Sequence, residues 1–311
     1  MLNDSITGNR HMSILDDPAV AAFLAAYRGR SGSPRPVAVF DCDGTVIQGD
    51  IGEAMFYRQI EHFHFRRSPA SVWPDHPLRG EIGALFDALA PLLPRERSLS
   101  PSFGRFATIL LSWYFDQIAA GAVTKACADI VRLFAGYTPG EVRALAQETF
   151  DEEFASPFGT RRLGGRDLPR GARYIRESVD ILEALIALQF EIWAVSGSNA
   201  WSVEPVFRRF GVPPGRVIGI ELEVRGGVLA ESTAGPVPIR AGKIDAMNAR
   251  GVRTPVLAAS DSKNDIPLLL ASSGLRIRIN SHGRDTAEFF RSGGITPDAS
   301  WVLVELPHIM E

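Results

Sequence analysis

Short apolar runs that alternate with helical patterns constrain the fold of this chain most strongly. Beyond residue 172 the runs 190–196, 217–224, 255–260 and Leu275–Ile279 alternate with helical stretches near 201–210, 243–249 and 265–271. An earlier run, Val37–Phe40, is equally apolar. Continuous apolar strands are typical of sheets covered on both faces, and alternation with helices favours parallel pairing. The sequence therefore predicts an α/β fold with a Rossmann-like, doubly wound and mainly parallel sheet.

The segment between the first two of these strands has a different pattern. Helical periodicity predicts helices at 52–61, 81–93, 103–118, 124–134 and 141–150. The segment 156–172 is rich in glycine and contains Arg161, Arg162, Arg166 and Arg170, which favours a flexible, solvated return linker. We expect an N-terminal segment with one helix (1–34), an α/β core (35–52 and 172–311) and an inserted helical unit (53–171).

The first strand ends in two acids. Asp41 and Asp43 lie two positions apart, so their side chains lean the same way if the strand geometry continues, and Cys42 then points to the opposite side. Gly44 allows a sharp exit, and ligands of open α/β sheets bind at the carboxyl ends of the strands. Paired acids can hold a hard cation and divide nucleophilic from acid/base work. A solvated Asp-x-Asp-Gly turn is the alternative for this motif alone.

Three further positions place polar groups at the ends of strands or at the starts of helices. Ser196 and Gly197 follow the second strand, where a hydroxyl and backbone N–H groups can bind an anion, or where the serine simply caps a helix. Lys243 opens a helix, a position that the helix dipole disfavours unless an anion such as a phosphate is near. Asp261 and Asp265 follow the strand 255–260 and can converge on a cation held by Asp41.

Composition excludes several classes of function. The chain has 311 residues, a net charge of −3 and two cysteines, which gives no electrostatic case for nucleic acid and no disulfide framework. No apolar run approaches the length of a membrane span, and the N-terminus lacks the pattern of a signal peptide. We expect a soluble, cytoplasmic protein without a membrane partner. Residues 8–12 could be partly an expression remnant and are left out of the fold prediction.

The motifs in this order resemble those of the haloacid dehalogenase superfamily of phosphatases. The resemblance rests on Asp41-Cys42-Asp43-Gly44-Thr45, on Ser196, on Lys243 and on the segment 260–265. The inserted helical unit occupies the position of that superfamily's cap domain. A predicted hairpin flap around Arg225-Gly226-Gly227, ahead of Lys243, is similar to that of the phosphoserine phosphatase and phosphocholine phosphatase branch.

The resemblance implies a mechanism. Asp41 would attack phosphorus to give an aspartyl-phosphate, and Asp43 would act as general acid and then as general base. Mg²⁺ would be held by Asp41, Asp261 and the backbone carbonyl of Asp43, with Asp265 behind these ligands or orienting Lys243. The phosphate-binding residues would be Ser196, Gly197, Lys243 and Asn264.

The expected activity is hydrolysis of a small phosphorylated metabolite, amine-bearing in the manner of phosphoserine or phosphocholine. Asp50 matches an acidic position near the substrate amine in phosphoserine phosphatases, Glu53 is a nearby rival, and capping of the helix near residue 52 explains Asp50 equally well. A phosphotransferase on the same fold and a catalytically silent phospholigand-binding protein are the alternatives. Aromatic residues and histidines between 56 and 65 are interpreted as packing or surface residues.

Overall fold

The structure, a computed structural model, describes residues 13–30 and 32–311. The possible expression remnant at 8–12 lies outside these residues. In the described part of the chain the strands are β1 (Val37–Phe40), β2 (Ile47–Gln48), β3 (Gly159–Leu163), β4 (Arg166–Arg170), β5 (Arg173–Tyr174), β6 (Glu191–Asn199), β7 (Val217–Ile220), β8 (Leu222–Arg225), β9 (Val228–Thr233), β10 (Leu257–Ser260), β11 (Leu275–Ile279) and β12 (Trp301–Val304).

The α-helices in the same part of the chain are α1 (Pro18–Tyr27), α2 (Ile51–Glu61), α3 (Pro69–Val72), α4 (Arg79–Leu89), α5 (Pro94–Leu99), α6 (Pro101–Ala119), α7 (Val123–Arg132), α8 (Pro139–Ala155), α9 (Arg176–Ala187), α10 (Ala200–Arg208), α11 (Gly242–Ala249), α12 (Ile266–Leu270) and α13 (Thr286–Gly293). Single 3-10 turns occupy Ile14–Asp16, Pro214–Arg216 and Lys263–Asp265.

The central sheet has six parallel strands in the order β12-β11-β10-β1-β6-β7. Every residue of β1 is buried because apolar clusters cover both faces. Ala38 and Phe40 belong to one cluster, whereas Val37 and Val39 belong to the cluster on the opposite side. The predicted α/β fold with a parallel, doubly covered sheet is confirmed. The order places the carboxyl ends of β10, β1 and β6 side by side.

The helices α2 to α8 lie between β1 and β6 in the chain, and all of them except α5 contribute to a third hydrophobic cluster. That cluster also contains Trp201 of α10 and Leu229 of β9, so the insertion packs on α10 and on the β8–β9 hairpin through apolar side chains. The predicted flap around residues 225–227 is this hairpin. The predicted domain boundaries stay a prediction, and we propose that α2 to α8 form a cap over the sheet.

The structure corrects the interpretation of 156–172 as a flexible linker. The segment forms an antiparallel hairpin, β3 with β4, that turns at Gly164 and Gly165, both with positive φ. Leu163 and Leu168 are buried against the insertion. Arg161 is also buried and forms an ion pair with the buried Glu153, so it is not a solvated arginine.

Two other differences concern the sheet. The predicted strand 217–224 is divided at Glu221 into β7, which belongs to the sheet, and β8, which belongs to the flap. The prediction did not include β12 and α13, which extend the sheet and cover it near the C-terminus.

Among the described residues, no helix has the length and apolar character needed to span a membrane.

Candidate active site

A cavity of about 550 Å³ lies at the carboxyl ends of β1, β6 and β10, beneath the inserted helices. Asp41 and Asp43 line it from the end of β1, and Ser196 and Gly197 line it from β6. Its walls also include Lys243, Asn264, Asp261 and Asp265 from the other predicted positions, and Asp50 and Glu53 from the insertion. The sheet topology therefore brings together side chains from all the segments that the motifs had singled out.

Asp41 is a buried carboxylate with two side-chain partners. Its Oδ1 lies 2.8 Å from Lys243 Nζ, and its Oδ2 accepts a hydrogen bond of 3.0 Å from Thr45 Oγ1. Burial raises the pKa of Asp41 to about 8, although the charge of Lys243 acts in the opposite direction. Lys243 and Thr45 fix the group in orientation, and with a pKa of about 8 it holds a proton at neutral pH unless a further cation stabilises its ionised form.

Lys243 is almost fully buried at the start of α11 and connects two acids. Its Nζ lies 2.8 Å from both Asp41 Oδ1 and Asp265 Oδ1. Burial acts to lower the pKa of Lys243, but the carboxylates of Asp265 and Asp41 outweigh it and raise the pKa above its ordinary value. The sequence interpretation assigned the compensating negative charge to a phosphate, whereas here two carboxylates supply it.

Asp43 occupies a separate position from this ion-pair network. Its Oδ1 accepts a 2.7 Å hydrogen bond from the Ile51 N–H, and its Oδ2 accepts one of 2.7 Å from Ser198 Oγ. Burial raises the pKa of Asp43 to about 6, whereas the bond from the Ile51 N–H lowers it. A carboxyl group with that pKa can release and recover a proton near neutral pH, as general acid–base catalysis requires.

The end of β6 surrounds Asp43. Ser196 Oγ lies 3.5 Å from Asp43 Oδ2 and accepts a 3.0 Å bond from the Ser198 N–H. Ser198 was not among the predicted site residues, and its only sequence signal was its position directly after Gly197. A Cβ at Gly52 would overlap the Ser198 hydroxyl, so a glycine at 52 keeps Ser198 in contact with Asp43.

The carboxylates of Asp41, Asp261 and Asp265 offer oxygens that lie within 4.8 Å of one another. Three carboxylates with one ammonium group, that of Lys243, leave two negative charges uncompensated, and burial makes that costly. Carboxylate oxygens are the donors that Mg²⁺ prefers, so this set fits a divalent cation. The Asp43 side chain is not part of the set, and the metal-binding role of its backbone carbonyl stays a prediction.

Two contacts support this acidic cluster. Ser260 Oγ donates a 2.7 Å hydrogen bond to Asp265 Oδ2, which fixes that carboxylate. A Cβ at Gly44 would lie 2.7 Å from Asp261 Oδ2, too close for any other residue type. Gly44 also has a φ of 73°. Gly44 of the first motif therefore leaves space for the Asp261 carboxylate of the fourth motif.

Asn264 lines the same cavity, and its side-chain oxygen accepts a 3.2 Å bond from Arg240 Nε.

The insertion contributes an acidic wall to the cavity. Asp50 is the N-cap of α2, where its Oδ1 accepts a 2.7 Å bond from the Glu53 N–H, and it also lines the cavity. The capping role and the site role, which the sequence left as alternatives, are therefore compatible. Glu53 accepts hydrogen bonds from the hydroxyls of Tyr57 (2.5 Å) and Tyr114 (2.8 Å). Burial raises the pKa of both tyrosines, so they stay protonated donors.

Other side chains reach the cavity or stay outside it. Tyr114 and Cys127 line it from α6 and α7, and His282 and Arg284 line it from the loop between β11 and α13, although the sequence gave no motif for any of them. His62 and His64 contact each other edge to face outside the lining. Trp201 packs on Phe134 in the hydrophobic cluster, as expected of a packing residue.

The chain was compared with protein-family models, with curated proteins and with solved structures. The family model of the haloacid dehalogenase-like hydrolases matches residues 38–270. No curated protein matches the chain. Among solved structures, a conserved, functionally unknown protein from Anaerococcus prevotii DSM 20548 has a TM-score of 0.71 at 15% identity, with 91% of each chain covered. This likeness shows a shared fold.

Two further solved structures are more distant. A protein with unknown function from Bordetella pertussis Tohama I is 18% identical, with a TM-score of 0.48 and coverage of 87% of this chain and 98% of that chain. A phosphoserine phosphatase with a phospho-aspartyl intermediate analogue is 11% identical, with a TM-score of 0.42 and coverage of 88% and 94%.

Proposed function

Because the chain belongs to the family of haloacid dehalogenase-like hydrolases, we propose that it is a Mg²⁺-dependent phosphomonoesterase that acts on a small phosphorylated metabolite. One observation carries the proposal. A single cavity contains a buried carboxylate, Asp41, beside a lysine and two further acids, together with a separate carboxyl group, Asp43, whose pKa lies near 6. Phosphoryl transfer by covalent catalysis needs both kinds of carboxyl group.

In the first proposed step, a carboxylate oxygen of Asp41 attacks phosphorus while the bond from phosphorus to the leaving oxygen breaks. Asp43 gives its proton to that oxygen, so an alcohol leaves and an aspartyl-phosphate remains. Lys243, Ser196 and the Gly197 N–H bind the transferring oxygens, where positive charge and hydrogen-bond donors stabilise the transition state. Asn264 adds a contact from the opposite wall.

In the second step, Asp43 is a carboxylate and accepts a proton from water. The water oxygen attacks phosphorus, the bond between Asp41 and phosphorus breaks, and inorganic phosphate leaves. Asp41 returns to its carboxylate form and Asp43 to its acid form. Ser198 and the Ile51 N–H keep Asp43 in place in both steps, because each donates to one of its oxygens.

The metal-binding residues in this proposal are Asp41 and Asp261, with the backbone carbonyl of Asp43, and Asp265 supports them from behind. A Mg²⁺ held there would supply positive charge that offsets the charge of the phosphoryl group. Lys243 bridges Asp41 and Asp265, with its Nζ 2.8 Å from an oxygen of each, so it offsets part of the negative charge of the cluster that the cation would complete.

We also propose that the leaving group carries an amine. Asp50 and Glu53 line the cavity with two acids, and Tyr57 and Tyr114, whose hydroxyls donate to Glu53, line it beside them. Acids and aromatic faces both attract a primary or quaternary ammonium group. Phosphoserine-like and phosphocholine-like compounds share that group.

A substrate panel tests the proposal. Phosphoethanolamine, phosphocholine, phosphoserine, sugar phosphates and p-nitrophenyl phosphate are each incubated with the full chain in Mg²⁺ and in EDTA, and phosphate release is measured. We expect release that EDTA abolishes and added Mg²⁺ restores, and none above background from Asp41→Asn. Asp43→Asn should lose about 100- to 10,000-fold in rate with the alkyl phosphates.

Asp87→Asn is the matched control, because Asp87 is an exposed acid on α4 outside the cavity lining. Its rate should equal that of the wild type. Hydrolysis that survives EDTA, or that Asp41→Asn leaves unchanged, contradicts the proposal, and so does transfer to an added alcohol in excess of release to water.

A further inference from the structure

The loop 280–285, between β11 and α13, brings His282 and Arg284 to the cavity. This loop lies beyond residue 270, where the match to the family model ends. It also lies outside every motif that pointed to the site. The loop therefore contributes to the site from a segment that lies C-terminal to all the motifs.

His282 contacts one of the three clustered acids directly. Its Nδ1 lies 3.2 Å from Asp261 Oδ2, and the hydroxyl of Ser281 lies 3.0 Å from the same nitrogen. A Cβ at Gly44 would lie 3.0 Å from the ring carbon Cε1 of His282. The imidazole thus lies over the glycine of the first motif and against the acid of the fourth.

The three acids differ in what orients them. Asp41 is held by Thr45 and Lys243, and Asp265 is held by Ser260 and Lys243. Among residues 13–30 and 32–311, His282 is the only side chain that contacts the Asp261 carboxylate through a polar atom. Without it, the carboxylate of Asp261 would be free to rotate in a buried, negatively charged cluster.

Hydrogen bonds within the loop and to the residues that flank it hold the loop in place. The Asn280 side chain bonds both the N–H and the carbonyl of Arg284, at 2.8 and 2.9 Å, and donates to Glu305 at 2.7 Å. Arg278 is fully buried and donates to Asn280 at 3.3 Å. Glu305 follows β12 directly, so the last strand of the sheet supports the loop that carries His282.

We propose that His282 is a positioning residue for Asp261. The contact of its Nδ1 with Oδ2, at 3.2 Å, restrains the rotation of the carboxylate, so that Asp261 would be oriented for the cation. This inference rests on the proposed function, since it assumes that Asp261 binds Mg²⁺. Metal-binding carboxylates are commonly held by such outer contacts, and loss of one costs about 10- to 100-fold in metal affinity.

Calorimetric titration of the full chain with MgCl₂ alone tests the inference without any substrate. His282→Ala and His282→Phe both remove the donor, and Phe keeps the ring volume. We expect both to weaken Mg²⁺ binding by about 10- to 100-fold. His282→Asn keeps an N–H donor at the equivalent position and should restore most of the affinity. His62→Ala, an exposed histidine outside the cavity lining, is the control and should bind as the wild type does.

The outcomes separate the two proposals. Wild-type affinity in His282→Phe contradicts the role of His282 alone, and so does an Asn variant that binds as weakly as the Ala and Phe variants. A wild-type protein that takes up no Mg²⁺ contradicts the proposed function together with this inference. Rates at saturating Mg²⁺ should stay within a few-fold of the wild type in all three variants, because the residue acts on metal binding and not on the bond changes.

Discussion

At the scale of single residues, Asp50 caps a helix, but the folded protein disfavours its ionised form. Its carboxylate caps α2 and is exposed to the cavity, yet the protein that surrounds the cavity and the nearby acids Asp43 and Glu53 raise its pKa above the ordinary value. A folded state that holds the proton more tightly than the unfolded state loses stability as the pH rises above the ordinary aspartate pKa. At neutral pH, Asp50 therefore lowers the stability of the folded protein, and a bound cationic substrate would offset this loss.

Exchange of Asp50 for asparagine should separate these effects. Asparagine caps helices as well as aspartate does, so the bond to the Glu53 N–H is kept. We expect Asp50→Asn to be more stable than the wild type at pH 7 to 8, with a difference that shrinks as the pH falls toward the ordinary aspartate pKa. Urea denaturation at several pH values measures it, and a difference that grows on acidification would contradict the expectation.

The same variant should be a poorer enzyme for amine-bearing substrates. Loss of a charged hydrogen bond of about 1.5–3 kcal/mol lowers kcat/KM for an amine relative to a neutral phosphate ester by about 10- to 100-fold. Asp17→Asn, the same exchange at the N-cap of α1, should change neither stability with pH nor this ratio.

At the scale of elements, the hairpin β3–β4 is attached to the insertion through a buried ion pair. The side chains of Arg161 and Glu153 are 7% and 4% exposed, and Glu153 also accepts a 2.6 Å bond from the Gly171 N–H. Glu153, Pro169 and Gly171 all line the cavity. The hairpin therefore shapes the wall of the cavity, and Arg161 supplies its buried charged contact with the insertion.

Removal of that arginine should destabilise the fold. Arg161→Ala leaves a buried carboxylate without its partner, and we expect a loss of about 3–5 kcal/mol in the free energy of unfolding. Arg162→Ala, one residue along the same strand, breaks an exposed pair with Asp167 and should cost about 0–1 kcal/mol. Denaturant titration of both variants distinguishes them, and equal losses would refute the structural role of the buried pair.

The elements that the sequence predicted are those with continuous apolar runs. Leu275–Ile279 also has the predicted bounds, although Arg276 and Arg278 interrupt its apolar residues. The hairpin was not predicted because half of its strand residues are arginine or glycine, and Leu163 and Leu168 are its only buried apolar residues. The Gly164-Gly165 pair between them was the one available turn signal.

At the site, motif order predicted which segments meet but not which contacts they make. Asp41 and Lys243 are 202 positions apart, and only the folded sheet shows that they pair directly. Tyr114, Ser198 and His282 belong to no motif, since their roles depend on how the insertion and the C-terminal loop pack on the sheet. Local sequence carries no information on that packing.

At the scale of the whole molecule, the carboxyl ends of the strands collect chemistry from six segments of the chain. The ends of β1, β6 and β10 supply acids and a hydroxyl, α11 supplies a lysine, the loop 280–285 supplies His282 and Arg284, and the insertion closes the space above them. Enclosure excludes water and strengthens each electrostatic contact. We propose that in this assembly the phosphoryl group is transferred first to Asp41 and then to water.

Trapping of the phosphoenzyme tests that claim most directly. Asp43→Asn lacks the base for the second step, and p-nitrophenol leaves without needing a proton. We therefore expect one equivalent of p-nitrophenolate per enzyme in a burst, followed by slow turnover. Acid quench, proteolysis and mass spectrometry should then locate one phosphoryl group on the peptide that contains Asp41. A phosphoryl group on Ser196 or Ser198 instead, or turnover with no burst and no labelled peptide, would contradict the account.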